Sequence, residues 1–234
     1  MEDGGLPRIT ALVLAAGESK RMGALKPLLP FGQGSVLEAV VRWLKASHAD
    51  PILVINGAHR QQIEAETLRC GAVPIHNPDY PLGMLTSVQA GVRAAPAESD
   101  WLLIALADQP HLNSGLVHTL LGAALERPQP VIALPRFGER GGHPMLISRA
   151  FFDEVLDLPA DGGLRELMRR HTDAVLRVPV NSDAVLQDMD TKEAYRALLS
   201  RAGHLDLSGD PIRGSTSTVS DHRQDPTPEG NPQS

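Results

Sequence analysis

Cysteine is nearly absent from this sequence, in which Cys70 is the single example among 234 residues. One cysteine excludes an intrachain disulfide framework and any metal site built from several thiolates. This usage fits a reducing compartment, and we expect the cytoplasm. No nucleophile motif surrounds Cys70, so we expect it to be a small buried residue.

Aromatic residues and excess positive charge are also scarce. Phe, Trp and Tyr account for 3% of the residues, and 22 Lys and Arg face 28 Asp and Glu, for a net charge of −6. Nucleic-acid-binding proteins use basic surfaces for phosphates and often aromatic rings for stacking, so nucleic acid is not an expected partner. No apolar run approaches a membrane span, and residues 1–8 are acidic where a signal peptide would be basic. We expect no membrane partner.

Short apolar runs alternate with helical periodicities along the chain. Polar residues, Gly or Pro bound each run, which predicts strands. Because these strands are apolar throughout, the pattern predicts an α/β fold whose mostly parallel sheet is covered by helices on both faces, in three layers. The predicted strands are 9–15, 52–55, 101–106, 131–134 and 175–178; helical faces are predicted at Val36, Val40, Val41 and Leu44, at Leu85, Val88 and Val92, and at Leu116, Leu120, Leu121 and Leu125.

The composition changes near residue 203. With 42% hydrophobic residues, the chain can build one sizeable core, and we predict a single domain over residues 1–202. From 203 to 234 the sequence is rich in Ser, Thr, Pro, Gly, Asp and Gln and has almost no apolar residues. Such a segment cannot bury enough surface to offset the entropy of ordering, which predicts a disordered tail.

A small, basic, glycine-punctuated loop follows the first predicted strand. Its small residues let backbone N–H groups approach an anion, and its cations supply charge, which together favour phosphate binding. The small residues are Ala15, Ala16, Gly17 and Gly23, and the cations are Arg21 and Lys26. Five residues separate the two glycines and Ala24 follows, so the spacing fits neither a Walker A loop nor a dinucleotide fingerprint. The alternative is an ordinary strand-to-helix connection with solvated cations.

Two further segments contain carboxylates that could be functional. Asp108 follows the strand 101–106 within Ala-Asp-Gln-Pro, and Asp190 belongs to Asp-Met-Asp-Thr, which precedes a short helix predicted at 192–199. The position of Asp108 just past a strand end suits Mg²⁺ beside nucleotide phosphates. The alternatives are a turn or cap role for Asp108 and a capping role for Asp190 or Thr191.

Together these segments resemble the MobA/MocA-like nucleotidyltransferase family. The matching residues are Leu-Ala-Ala-Gly at 14–17, Arg-Met-Gly at 21–23, Lys26, and the Ala-Asp-Gln-Pro and Asp-Met-Asp-Thr segments. The resemblance implies a Rossmann-like nucleotidyltransferase fold. It also implies catalytic roles for Arg21, Lys26 and Asp108, and Mg²⁺ held by Asp108 and Asp190, with Asp188 as the runner-up to Asp190.

The resemblance further implies a nucleotide pocket lined by several segments. Asn56 belongs to an Asn-Gly pair, which is a turn signal in any fold, and Gly83 belongs to a Pro-rich segment at 77–87 that leads into a helix. The residues expected to bind nucleotide are Leu14, Ala15, Ala16, Gly17, Arg21, Lys26, Asn56, Asp79, Gly83 and Asp108.

Two later segments are further candidates, the first of them for the acceptor side. The loop 137–144 is glycine-rich and contains Arg140 and His143, which suggests a lid, although a structural role for the histidine is the alternative. Residues 161–165 resemble a further family segment, but Ala160 stands where a leading glycine is usual. That departure weakens any role for Asp161 and Arg165, whose alternatives are a helix N-terminal aspartate and a solvated arginine.

The sequence contains no arrangement typical of an activated Ser, Cys or His nucleophile. With the resemblance, this predicts transfer of a nucleoside monophosphate, CMP from CTP by the Leu-Ala-Ala-Gly form, to the phosphate of molybdopterin, with release of pyrophosphate. A molybdoenzyme partner is possible for such a protein. The alternatives are another phosphorylated acceptor, such as a sugar phosphate or small alcohol phosphate with CTP or GTP, and a non-catalytic carrier or insertion factor for the cofactor.

Overall fold

The computed structural model describes residues 6–18, 22–128, 130–159 and 162–203. The predicted tail, apart from Gly203, lies outside these residues, as do Arg21 and Asp161. The strands are β1 Ile9–Ala15, β2 Pro30–Phe31, β3 Gly34–Ser35, β4 Ile52–Asn56, β5 Val73–His76, β6 Trp101–Leu106, β7 Ile132–Phe137, β8 Arg140–Gly141, β9 Met145–Ser148 and β10 Val175–Pro179. The α-helices are α1 Val36–Ala46, α2 Arg60–Arg69, α3 Met84–Ala94, α4 Ser114–Leu125, α5 Phe152–Asp157, α6 Gly163–Arg170 and α7 Lys192–Arg201.

The main sheet is mostly parallel, as predicted. Its strand order is β5-β4-β1-β6-β9-β7-β10, with β8 paired to β7, while β2 and β3 form a separate ribbon. β9 runs antiparallel to both β6 and β7, and β8 runs antiparallel to β7. The other pairs of the main sheet are parallel. The strands β5 and β9, which the sequence patterns did not single out, are only four residues long.

Helices cover both faces of the sheet, which confirms the three-layer prediction. Side chains of β1 alternate between the faces, so that Val13 joins the core beneath α1, α2 and α4 while Leu12 joins the core beneath α3, α5 and α6. α7 packs separately against the β2–β3 ribbon and the start of α1 through Leu198 and Leu199. No helix within the described ranges is both long and apolar enough to cross a bilayer.

The structure differs from the sequence predictions at two helices, α4 and α2. α4 buries Val117, Leu120 and Ala124, whereas Leu125, expected on the buried face, is 56% exposed. Leucines occur around much of this helix, so their spacing alone could not select the side that faces the sheet. The unpredicted helix α2 buries only Ile63 and Thr67, too few apolar residues for a detectable period.

Cys70, at the end of α2, is partly rather than fully buried. Burial, with a contribution from the charge of Glu66, raises the pKa of its thiol to about 11. The thiol therefore stays protonated at neutral pH, in line with the expectation that Cys70 is not a nucleophile.

The strand order creates a crevice between β1 and β6. The chain passes from β1 to β4 and β5 on one side and then returns to β6 on the other, so the direction of winding reverses at β1. Leu14 pairs with Leu106 in register, and the N–H of Ala107 donates to the carbonyl oxygen of Leu14 over 3.2 Å. Ligands of open α/β sheets bind at such a switch point, beyond the carboxyl ends of the strands.

We predict that Gly91→Ala lowers the free energy of unfolding by about 1 kcal/mol, since overpacking a core outweighs the gain in helix propensity. A Cβ atom on Gly91 would lie 2.6 Å from Leu12 Cδ1, because α3 packs tightly on β1. Gly122→Ala in α4 is the matched control, since its Cβ would meet nothing within 4 Å. That change should stabilise the protein by about 0.5–1 kcal/mol. Urea denaturation measures both, and equal shifts of the same sign would contradict the packing argument.

Candidate active site

A cavity of about 560 Å³ opens at the carboxyl ends of β1 and β6. It is lined by residues 14–18 at the end of β1, by residues 106–108 at the end of β6, and by parts of the segment 80–87, together with Lys26 and Pro27. Its volume lies within the range of small-molecule sites in proteins. Seven residues expected to bind nucleotide line this cavity: Leu14, Ala15, Ala16, Gly17, Lys26, Gly83 and Asp108.

One ammonium group joins two carboxylates at the cavity. Lys26 Nζ lies 3.1 Å from Asp108 Oδ2 and 2.5 Å from Asp190 Oδ1. The three side chains are only 12%, 22% and 28% exposed, respectively. Burial by itself lowers the pKa of Lys26, but hydrogen bonds and charges from Asp190 and Asp108 outweigh it, and the pKa is raised above its ordinary value. Lys26 is therefore held as a cation between two anions.

Local structure places each member of this cluster. Lys26 begins the short 3₁₀ turn Lys26–Leu28, whose Pro27 is buried. Asp108 lies two residues after the end of β6, in a turn in which the N–H of Gln109 donates to the carbonyl oxygen of Leu106 over 3.3 Å. From this turn Asp108 lines the cavity.

Asp190 lies between two anchored residues. Met189 is fully buried, and Thr191 caps α7 by accepting a hydrogen bond from the N–H of Ala194 over 3.1 Å. The alternative that Asp190 itself caps this helix is therefore wrong, because the Thr191 hydroxyl takes that position. Asp190 instead pairs with Lys26.

Asp188 is near the same cluster. Burial first, and then the negative charges of Asp190 and Asp108, raise the pKa of its carboxyl, while Lys26 opposes the shift. Within the described ranges, no group of three or more His, Cys, Asp or Glu side chains is arranged to hold a metal ion. A cation bound by Asp108 and Asp190 would need further oxygen ligands from phosphate or water, and this all-oxygen donor set fits a hard divalent cation.

The phosphate-loop prediction can be compared with the structure over residues 14–18 and 22–26. Gly23 has a φ of +63°, a conformation that glycine adopts without strain. A Cβ on Gly17 would meet no atom within 4 Å, so the small residue leaves cavity space open rather than avoiding a clash. Arg21, expected to be catalytic, lies outside the described residues, and its role stays a prediction.

Asn56 and Asp79 do not line the cavity. Asn56 is fully buried beside Ala15 in the sheet register; its Oδ1 lies 3.0 Å from His76 Nδ1, and its Nδ2 has no partner among the described residues. Asp79 is exposed, and its backbone N–H donates to Asn77 Oδ1 over 3.0 Å. Nucleotide binding by these two residues stays a prediction, and it requires a ligand to reach beyond the lining described above.

The segment before α3 contributes more to the cavity than its motif indicated. Asn77 Nδ2 donates to Thr86 Oγ1 over 2.9 Å and to Ser87 Oγ over 3.0 Å, which ties the loop to the start of the helix. Tyr80 packs over Gly57, where a Cβ would collide with its ring. The lining residues Glu18, Pro27, Tyr80, Pro81 and Met84 were not predicted individually, and their adjacency to predicted residues was their only signal.

The candidates Arg140, His143 and Arg165 of the two later segments do not line the cavity. Arg140 is exposed on the β7–β8 hairpin, whereas burial lowers the pKa of His143, against the charge of Asp108. The N–H of His143 donates to the carbonyl oxygen of Val185 over 3.1 Å, which supports a structural role. Asp161 lies outside the described residues, and Arg165 is exposed on α6.

Comparison with known proteins gives a consistent family match. A family model described as MobA-like NTP transferase domain matches residues 11–175. Nicotine blue oxidoreductase of Paenarthrobacter nicotinovorans is 30% identical over 209 residues, which covers 85% of this chain and all of that protein. Molybdenum cofactor cytidylyltransferase of Escherichia coli K12 is 29% identical over 189 residues, which covers 80% of this chain and 93% of that enzyme.

Solved structures share the fold. The crystal structure of Rv0371c from Mycobacterium tuberculosis H37Rv has a TM-score of 0.71 and 25% identity, covering 83% of this chain and 98% of that one. Its complex with manganese has a TM-score of 0.68 at 25% identity, covering 82% of this chain and 98% of that one.

We predict that stability falls as the pH is lowered through about 6.5, the ordinary imidazole pKa. Burial lowers the pKa of His111, against its bond to the Ala184 carbonyl and the charges of Asp108 and Asp183, while Arg201 adds to the lowering. Burial lowers the pKa of His143 as well. The unfolded chain therefore binds more protons than the folded protein in this window, so protonation favours unfolding.

Urea denaturation between about pH 8 and about pH 5.5 measures this dependence. His111→Gln should reduce the slope, because it removes one titrating group while keeping an N–H donor. Carboxylates with a lowered pKa, such as Glu66, titrate further down and do not interfere. An unchanged slope in the variant would contradict the assignment to His111.

Proposed function

Because the chain belongs to the MobA-like NTP transferase domain family, we propose that it transfers CMP from CTP to the phosphate of molybdopterin-type cofactor and releases pyrophosphate. Membership confirms the resemblance that the loop motifs predicted. The observation that carries the proposal is the ion-pair cluster in which Lys26 and Asp108 line the cavity at the ends of β1 and β6 and Asp190 pairs with Lys26. Their chemistry suits a triphosphate and a divalent cation.

The residues present suit attack by an acceptor that is already charged. A phosphate monoester is largely ionised near neutral pH, so its oxygen needs no strong general base. That oxygen forms a bond to the α-phosphorus of the nucleotide while the bond from this phosphorus to the bridging oxygen breaks, and pyrophosphate leaves with that electron pair. Lys26 would stabilise the negative charge that develops on the transferring and departing phosphates.

Asp108 and Asp190 would hold Mg²⁺. Their carboxylate oxygens are the ligands that this ion prefers, and phosphate oxygens and water would complete its shell. The bound ion would neutralise charge on the triphosphate and orient it. A structural relative solved in complex with manganese supports the use of a divalent cation, and Mg²⁺ is our proposal for this protein.

CTP is proposed as the donor on two grounds. The phosphate loop has the Leu-Ala-Ala-Gly form at 14–17, and one relative is named a cytidylyltransferase. A molybdopterin acceptor and delivery to a molybdoenzyme in the cytoplasm complete the proposal.

We predict that Lys26→Ala and Asp108→Asn each reduce pyrophosphate release at least about 100-fold, because each removes a charge that acts on the reacting phosphates. The assay supplies purified protein, Mg²⁺, each of the four NTPs, and molybdopterin with or without molybdenum. Lys45→Ala is the matched control, because Lys45 Nζ donates to the carbonyl oxygen of Cys70 on an exposed surface outside the cavity. It should retain wild-type activity.

Each outcome of this assay distinguishes a hypothesis. Release that needs CTP, molybdopterin, Lys26 and Asp108 supports the proposed reaction. Release with a sugar phosphate or alcohol phosphate in place of molybdopterin would move the proposal to another acceptor. Tight nucleotide binding without release would instead favour a carrier of the nucleotide or cofactor.

A further inference from the structure

The residues after Asp108 hold the segment that carries Asp190. Gln109 Nε2 donates a hydrogen bond to the carbonyl oxygen of Gln187 over 2.9 Å. His111 Nε2 lies 2.9 Å from the carbonyl oxygen of Ala184, and it is the donor because a carbonyl oxygen can only accept. These two side chains therefore contact the short 3₁₀ turn Asp183–Leu186 near its start and just after its end.

The β7–β8 hairpin contacts the same turn from another direction. The N–H of His143 donates to the carbonyl oxygen of Val185 over 3.1 Å. Gly142 packs so closely against that residue that a Cβ would collide with the Val185 carbonyl. The Val185 side chain is 3% exposed and belongs to the core. The turn is therefore held by the buried side chain of Val185 and by hydrogen bonds to three carbonyl groups, those of Ala184, Val185 and Gln187.

The segment that connects this turn to Asp190 is short. Only Asp188 and Met189 separate Gln187 from Asp190. Met189 is fully buried and packs with Phe31 and Leu198. The position of Asp190 therefore depends on the turn before it and on the cap of α7 after it.

Gln109 can affect the site only indirectly, through the position of Asp190. It is 2% exposed and does not line the cavity, so it has no access to a ligand there. Its loss would leave the part-buried carbonyl group of Gln187 without this donor, and an acceptor that loses its partner away from bulk water favours rearrangement of the segment. Such a rearrangement would move Asp190 relative to Asp108.

We propose that Gln109 and His111 are positioning residues that hold Asp190 in place opposite Asp108, so that the two carboxylates bind one divalent cation with the nucleotide. This proposal rests on the proposed function, in which Asp108 and Asp190 hold the metal. Residues that orient metal ligands commonly change metal affinity by about 10–100-fold when they are lost.

The test compares variants that remove the donors with matched controls. Gln109→Met and His111→Leu remove the side-chain N–H groups, whereas His111→Gln keeps a donor of similar reach. Gln89→Met is the second control, because buried Gln89 makes the same kind of bond to the carbonyl groups of Val155, Leu156 and Leu158 over 3.0–3.2 Å on the other face of the sheet. Thermal melting identifies folded variants, and His111→Leu suffices if Gln109→Met does not fold.

The first measurement is the Mn²⁺ concentration needed for half-maximal binding of a non-hydrolysable CTP analogue, by calorimetry. Gln109→Met and His111→Leu should raise it about tenfold or more, while His111→Gln and Gln89→Met should leave it within about twofold of wild type. A loss of stability alone would affect Gln89→Met in the same way as Gln109→Met. An equal metal requirement in all four variants would overturn the proposal.

The second measurement does not depend on nucleotide or metal. Amide hydrogen exchange of residues 188–191 should be faster in Gln109→Met and His111→Leu than in the two controls. Unchanged exchange, or faster exchange with a wild-type metal requirement, would overturn the proposal. If the wild-type protein shows no metal-dependent nucleotide binding, the proposed function fails, and the exchange rates alone decide whether these residues hold Asp190.

Discussion

The ion pairs of Lys26 are the interaction on which the candidate site depends. They join three segments that are separated by 82 and 164 residues along the chain. Two carboxylates placed this close together repel each other. A cation between them is therefore a condition for the arrangement, and Lys26 supplies it. The same three side chains have the charges that a triphosphate and a divalent cation require.

The sheet makes this convergence possible. Because β1 and β6 are adjacent and parallel, the residues that follow β1 and the residues that follow β6 begin side by side at one edge of the sheet. β1 is also the strand at which the direction of winding reverses, and ligand crevices form at such points. Asp190 lies outside the sheet, on a segment that accepts hydrogen bonds from Gln109 and His111.

The sequence predicted some parts of the fold better than others. Strands β1 and β6 were predicted with their observed limits, because each is a long apolar run that begins directly after a charged residue. β9 was not predicted, since a four-residue antiparallel strand has no pattern of its own and depends on pairing with β6 and β7. The buried face of α4 was predicted incorrectly at Leu125 for the corresponding reason. Contact with the sheet, rather than residue spacing, selects the face of an evenly apolar helix.

The sequence by itself determined the alternation of the longer strands with helices and the family, because these depend on local residue patterns. It also identified Lys26, Asp108 and Asp190 as candidates, through motifs at three separate places. Only the tertiary structure decided that these residues meet at one ammonium group, that Thr191 rather than Asp190 caps α7, and that Asn56 is buried behind the cavity lining. Distances between segments far apart in sequence follow from strand pairing and core packing, which no local pattern contains.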